Sequence, residues 1–223
     1  MKRELALKAV VKFASAFALV ALLLFVPAGT MHYPNAWLFL SLLFIPMAIT
    51  GIVLLCRNPA LLERRLASKE EQREQKAVTW LTSLVFLLGF VSAGLDFRFQ
   101  WTPVPSWVVG TASLLFLAGY VLWAAVLRQN EYLSRTVRVE GDQTLIDTGL
   151  YALVRHPMYS ASIIIFLAMP LVLGSLISFV IFLCYPPLLV VRIAGEEEIL
   201  VKELAGYEEY RKRVRYRLIP FVW

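Results

Sequence analysis

The chain of 223 residues is 59% hydrophobic, has a mean hydropathy of +0.68 and carries charge on only 17% of its residues. Soluble domains run at roughly 45–50% apolar, so this composition excludes an ordinary soluble domain and argues for a polytopic membrane protein. The net charge of +6 does not point to nucleic acid, because the basic residues flank the apolar runs, where orientation in the bilayer and lipid headgroups account for them.

A span needs about 20 apolar residues, and spans are predicted near 10–28, 36–55, 80–95 and 107–127. Tyr33, Trp37, Trp80, Trp101 and Trp107 stand at their ends as interface anchors. The first follows Lys2, Arg3, Lys8 and Lys12 and is followed at once by further spans, which favours a retained anchor over a cleaved signal. Lys and Arg fill the N-terminus, the loops at 56–79 and 128–158 and the tail from Arg192, whereas the loops near 30–35 and 96–106 hold only Arg98. The first set is therefore expected to be cytoplasmic.

Segment 159–191 then begins and ends on the cytoplasmic side. Its roughly 33 residues would make one helix of about 50 Å, and a single pass would leave the tail on the wrong side. A helix–turn–helix with its turn at Pro170, Gly174 and Ser175 fits best. The expected fold is an all-α integral membrane protein: four transmembrane helices plus a C-terminal helix-turn-helix membrane hairpin, followed by a cytoplasmic amphipathic helix. Residues 1–127 form a four-span membrane scaffold, and 128–223 (cytoplasmic loop, hairpin and C-terminal helix) form the catalytic region. Cys56 and Cys184 have no CxxC or Cys/His spacing, so neither a metal site nor a disulfide framework is expected.

Three polar stretches share the cytoplasmic side. In the first, 130–157, "TVRVEGDQTLI" alternates around Gly141–Asp142, a hairpin signal. In the second, "RHPMY", the residue before proline avoids the helical region and proline suits a first helical position. Arg155 and His156 are thus placed at a helix start, where backbone N–H groups and a fixed charge favour an anion. Tyr159 follows half a turn on. Arg155 as an orientation anchor, with His156 and Tyr159 as interfacial packing, is the plainer alternative. The third stretch, 192–223, reads as a helix leaving the last span, with Ile193, Leu200, Leu204, Tyr207 and Val214 in an apolar stripe. Glu197 falls on that stripe, so it needs a partner or a ligand; a solvated acidic turn paired with Lys202 and Arg192 is the alternative. Arg192 and Glu196 are four apart.

An anion site beside a buried carboxylate suits a nucleoside cofactor with an amino-acid tail. S-adenosylmethionine has a carboxylate for Arg155, ribose hydroxyls for Glu196 or Glu197, and an adenine face and sulfonium for tyrosine rings.

"GLYALVRHPMYSA", "MPLVLGS", "RIAGEEEIL" and "GYEEYRKRVRYRLIP", with "NPALLERR", "LDFRFQWTPVPSW" and "EYLSRTVRVEGDQTLIDTG" upstream, resemble the isoprenylcysteine carboxyl methyltransferase family, its prokaryotic branch above all. The resemblance covers nearly the whole chain. It implies a multi-pass membrane methyltransferase of the prokaryotic inner membrane, with S-adenosylmethionine held by Tyr151, Leu153, Arg155, His156, Tyr159, Arg192, Glu196, Glu197 and Tyr210. Ala161 stands where the family pattern has Gly, and Leu150 where it has Pro. The acceptor implied is lipophilic or small and offers a carboxylate, thiol or amine. Only an amine would need a base, for which His156 is the candidate; an anionic acceptor would need Arg155, Arg192 or, more weakly, Arg213. Two other classes stay open. One is an NADPH-dependent reductase of the sterol type, since such enzymes carry a stretch like RHPxY. The other is a non-enzymatic transporter or maturation factor. The absence of mid-span charge counts against a transporter.

Overall fold

The computed structural model describes residues 2–66, 73–130, 132 and 144–223. Among these, helices carry nearly all of the regular structure. The long helices α1 (Lys2–Ala28), α2 (Pro34–Arg57), α4 (Arg73–Phe99) and α5 (Ser106–Gln129) each enclose one expected span and extend beyond it. The extension has a simple cause. In a bilayer an open backbone N–H or C=O has no water to bond, so a helix runs on until it reaches the polar zone. Short α3 (Pro59–Leu66) buries Leu61 and Leu62 and is started by the Asn58 carboxamide, which accepts from the Leu61 N–H at 3.0 Å. The expected hairpin at 136–146 falls largely on 133–143, outside the described residues.

Among the described residues, five stretches are long and apolar enough to cross a membrane: Arg3–Ala28, Pro34–Arg57, Gln75–Phe99, Ser106–Gln129 and Leu176–Glu203. Their outer faces keep large apolar side chains exposed, among them Val10, Leu22, Ile45, Ile52, Leu114 and Val121. Unpartnered apolar faces all around a bundle are stable in lipid and not in water. The chain is a multi-pass integral membrane protein.

The segment after the RHP stretch doubles back. Pro157 opens α6 (Pro157–Val172) with His156 as its N-cap at φ −125°. The helix ends on Gly174 at φ +78°, a left-handed position at which only glycine escapes a side-chain penalty. Ser175 N–H bonds Pro170 C=O at 3.0 Å, the six-to-one bond of a Schellman ending. Ser175 at once caps α7 (Leu176–Phe182) by accepting from Ser178 N–H. Buried Asp96, near the end of α4, accepts from the Ser175 hydroxyl and from both the N–H and the hydroxyl of Thr102, which pins the turn to the α4–α5 connection. The Tyr33 hydroxyl donates to Leu173 C=O at 2.6 Å from the other side. α8 (Tyr185–Glu203) then returns to the end of the bundle where α6 began.

The core is aromatic, with Phe39, Phe90, Phe116 and Phe182 buried and Phe86 and Phe166 packed edge-on at 4.8 Å. Helices approach closely where side chains are small. A Cβ at Gly119 would meet Ile165 of α6 at 2.9 Å, and one at Gly89 would overlap the Phe182 ring. Ala161 is fully buried, so its methyl is accommodated.

The tail corrects one expectation. The apolar stripe running to Val214 suggested one continuous helix, but α8 stops at Glu203, Leu204 is extended and Gly206 takes φ +81° before a short α9 (Tyr207–Arg213). The stripe is real, since Leu204, Tyr207 and Val214 are all buried, but it packs around Leu145 and so wraps over the loop instead of lying straight along a surface. From Val214 onward the chain turns back against the start of α6.

Candidate active site

The site is built where the start of α6, the end of α8 and the tail meet. The backbone N–H groups of Arg155 and His156 donate to the carbonyls of Tyr216 and Arg217, each at 2.9 Å. Arg155 sends Nε to Glu197 Oε1 at 2.7 Å, and its Nη1 to the carbonyls of Val214 and Arg215 at 2.8 Å each. His156 Nε2 lies 3.2 Å from the same Glu197 oxygen, and Arg217 Nε donates to Oε2 at 3.0 Å. Glu197, 3% exposed, therefore holds two guanidinium groups and an imidazole in one buried cluster. Burying these charges costs desolvation free energy, which such complete pairing offsets.

A second group is centred on Tyr159. Its hydroxyl donates to Glu196 Oε2 at 2.5 Å and accepts from Arg192 Nε at 3.0 Å. Arg192 is also bracketed by α4: Nη1 reaches the Gln75 carbonyl oxygen and the Thr79 hydroxyl, each at 3.4 Å, and Gln75 Nε2 donates to Arg192 C=O at 3.3 Å. Gln75 is 2% exposed. Gly195 makes room for it, because a Cβ there would collide with the Gln75 amide.

A third group holds Tyr151, which sits in a 3-10 turn over Gly149–Ala152, so Leu150 is accommodated in a turn. Its hydroxyl accepts from Asn130 Nδ2 at 3.0 Å, and its carbonyl accepts from the Tyr210 hydroxyl at 2.7 Å. Burial pushes the Tyr151 phenol up to about 12 and raises that of Tyr210, so both stay neutral donors at physiological pH.

These groups surround a cavity of about 860 Å³. Its polar end is walled by Tyr151, Arg155, His156, Tyr159, Arg192, Glu196 and Tyr210, seven of the nine residues singled out from the sequence. Its other arm runs between α1, α2 and α4 past Val20, Leu23, Leu43, Met47, Phe86 and Phe90. The remaining two lie elsewhere. Glu197 sits behind the wall, lining a smaller cleft of about 310 Å³ with Lys202, Arg211 and Arg217, and Leu153 is exposed. Arg213 pairs with Asp147 away from the cavity. Two residues of the site escaped the sequence reading. Gln75 lies within a run of charged and amide residues that looks like a solvated loop. Tyr207 looked like one more apolar stripe position, although a hydroxyl on such a stripe was a usable signal.

Fold and site together define a polytopic helical membrane protein with a half-polar, half-apolar cavity opening off the returning helix pair. Residues 108–202 match the model of the isoprenylcysteine carboxyl methyltransferase (ICMT) family. The protein-S-isoprenylcysteine O-methyltransferase of Schizosaccharomyces pombe is 32% identical over 151 residues, 60% of this chain and 64% of that protein. The Delta(14)-sterol reductase of Mus musculus is 36% identical over 91 residues, 40% of this chain and 22% of the reductase. The chain thus spans about a fifth of one curated relative and just under two thirds of the other. A solved structure of a eukaryotic intramembrane Ras methyltransferase, ICMT, shares the fold with a TM-score of 0.56 at 19% identity, covering 96% of this chain and 77% of that one. Over residues 108–202 the chain is thus similar to the isoprenylcysteine carboxyl methyltransferase family, and it shares a fold with a solved member of it.

Proposed function

We propose that this protein is an integral-membrane methyltransferase that uses S-adenosylmethionine and methylates a carboxylate, thiol or amine on a lipophilic or small acceptor. The observation that carries the proposal is the two-ended cavity: charged and aromatic groups at one end, an apolar arm reaching between membrane helices at the other. A water-soluble nucleoside and a lipid-borne acceptor need such opposite surroundings in one space. At about 860 Å³ the cavity lies in the upper part of the roughly 300–1,000 Å³ range of ligand sites.

The residues present fit the cofactor. Glu196 supplies an acceptor for ribose hydroxyls or an ammonium, Arg192 supplies a fixed donor, and the rings of Tyr151, Tyr159 and Tyr210 offer faces for adenine or a sulfonium. When bound, S-adenosylmethionine supplies a methyl group on a sulfonium that leaves as a neutral thioether. The chain's own part is to orient and to dry the site, and orientation of this kind can supply several kcal/mol. Arg155, engaged by Glu197 and two tail carbonyls, locks the tail against the start of α6 and so shapes the polar wall. Arg192 is the cation we assign to orienting an anionic group. His156 is the proton acceptor an amine would require; a carboxylate or thiolate would need none. The apolar arm excludes water from the reacting end.

The same reading takes 128–223 as the catalytic region on a 1–127 scaffold. It takes Leu176–Glu203 as the returning arm of a membrane hairpin after four spans, and places both termini in the cytoplasm of a prokaryotic inner membrane.

Calorimetry of the detergent-purified protein with S-adenosylhomocysteine, NADPH serving as control, tests the proposal. Micromolar binding of the homocysteine compound alone is expected. The 36% identity to a sterol reductase favours one second reading, a nicotinamide-dependent reductase; binding of NADPH alone would select it. Binding of neither would sink the enzyme reading, and labelled cofactor with membrane extract then identifies the acceptor if the first result holds.

A further inference from the structure

Residues 217–223, "RLIPFVW", close on themselves as a small hook. The N–H groups of Arg217, Leu218 and Ile219 all donate to the Trp223 backbone oxygen, at 2.9, 2.9 and 3.2 Å. Those of Val222 and Trp223 donate to Ile219 C=O at 3.1 and 3.2 Å. Five N–H groups are thus bonded inside the hook, and Pro220 has none to bond. The Arg217 guanidinium lies over the Trp223 ring, 5.0 Å from its centroid, and ties the two ends together. The side chains do the opposite of what water favours. Ile219, Phe221 and Val222 are 50%, 88% and 74% exposed, and Phe221 is held at φ +66°, a conformation that costs a residue with a side chain.

A backbone that satisfies itself beneath outward apolar side chains is what lipid requires, because hydrocarbon offers no partner to an open N–H. The hook is also placed against the membrane-crossing part of the chain. Leu218 is buried in one cluster with Tyr185, Leu189 and Ile193 of α8, and Trp223 packs on that cluster. The Ser160 hydroxyl of α6 donates to Leu218 C=O at 2.6 Å. On the same turns of α8, Val190 and Val191 are exposed within the stretch Leu176–Glu203, so the hook continues an apolar surface that already needs lipid. Just before it, Arg211, Lys212 and Arg215 are exposed, cations that suit phosphate headgroups at the bilayer boundary. We infer that residues 217–223 are a membrane-inserted hook whose Ile219, Phe221 and Val222 side chains sit among the acyl chains of the leaflet nearest the start of α6. The neck of the hook carries the carbonyls that hold the Arg155 and His156 N–H groups, so the polar end of the cavity is kept at headgroup depth. The inference does not depend on which reaction the cavity serves.

The test places a nitroxide spin label at Phe221→Cys or Val222→Cys, each in a Cys56→Ser, Cys184→Ser background. The protein is reconstituted in vesicles of phosphatidylcholine and phosphatidylglycerol. Collision with oxygen, which concentrates in hydrocarbon, is compared with collision with a water-soluble nickel chelate. Val121→Cys, on the outer face of α5, is the lipid reference, and Glu208→Cys, exposed on α9, is the water reference. Both hook side chains stand clear of the core, so the variants should keep the parent's Tm. A polar chelate is kept out of hydrocarbon by more than about tenfold, so labels at 221 and 222 should meet it about tenfold less than at 208 and meet oxygen as often as at 121. Nickel accessibility equal to that at 208 would put the hook in water and overturn the inference. Low accessibility to both reagents would mean that protein covers the hook, a second copy where the labels broaden one another's spectra, and would overturn it as well.

Discussion

Arg155 was singled out as a ligand for an anion, and the structure gives it a second task. Its guanidinium and its backbone N–H both hold the tail, and its charge is matched by Glu197 at 2.7 Å in surroundings that leave each side chain about 5% exposed or less. Removing one partner from such a pair leaves an uncompensated buried charge, which costs about 3–5 kcal/mol. Glu197→Ala should therefore lower Tm sharply in detergent, with Arg155→Ala close behind. The pair of changes together should cost less than their sum, because the second removes the charge that the first stranded. Additive losses would mean that the two groups do not depend on each other. For the same reason, lost cofactor affinity in Arg155→Ala counts as a lost contact only where Tm is kept. At this scale the sequence was partly legible. Glu197 on an apolar stripe announced the need for a partner, but that the partner was Arg155, 42 residues away, followed only from the chain doubling back.

Among the elements, the contact of α4 with α8 decides where Arg192 points. It depends on an absent side chain: Gly195 lets the Gln75 amide lie against α8, where it both accepts from the Arg192 guanidinium and donates to the Arg192 carbonyl. Gly195→Ala improves helix propensity yet must displace Gln75. We expect methyl transfer to fall about tenfold, with S-adenosylhomocysteine affinity changed far less, because a misplaced orienting cation costs rate before it costs cofactor binding. Gly51→Ala, on α2 with nothing within 4 Å of its Cβ, is the control and should leave both unchanged. Equal rates in the two variants, measured with labelled cofactor and membrane extract, would remove Gln75 and Gly195 from the site. Several elements could be read directly. The turn at Gly174–Ser175 carries local chemistry, a glycine for a left-handed residue and a serine for a cap, and local chemistry is written in adjacent residues. The break at Leu204–Gly206 was not read, because an apolar stripe reports which residues are buried and not whether the helix beneath them is continuous.

For the molecule as a whole, lipid is the solvent that its exposed faces require, and the distribution of Lys and Arg gives the expected orientation. A reporter fused after Trp223 is expected to read cytoplasmic in a bacterial host, as is one placed before the first span. A periplasmic signal from the C-terminal fusion would break the hairpin topology. The sequence by itself determined the membrane class, the positions of the long helices and most of the polar wall, because hydropathy over 20 residues and the chemistry of short motifs are local properties. Only the tertiary structure decided that Glu197 turns behind the wall while Glu196 faces the cavity, that Gln75 packs against Arg192, and that the Tyr207 hydroxyl is left without a partner. Those outcomes depend on which helix faces meet across more than a hundred residues of chain, and a linear pattern carries no information about the rotation at which two packed helices come to rest.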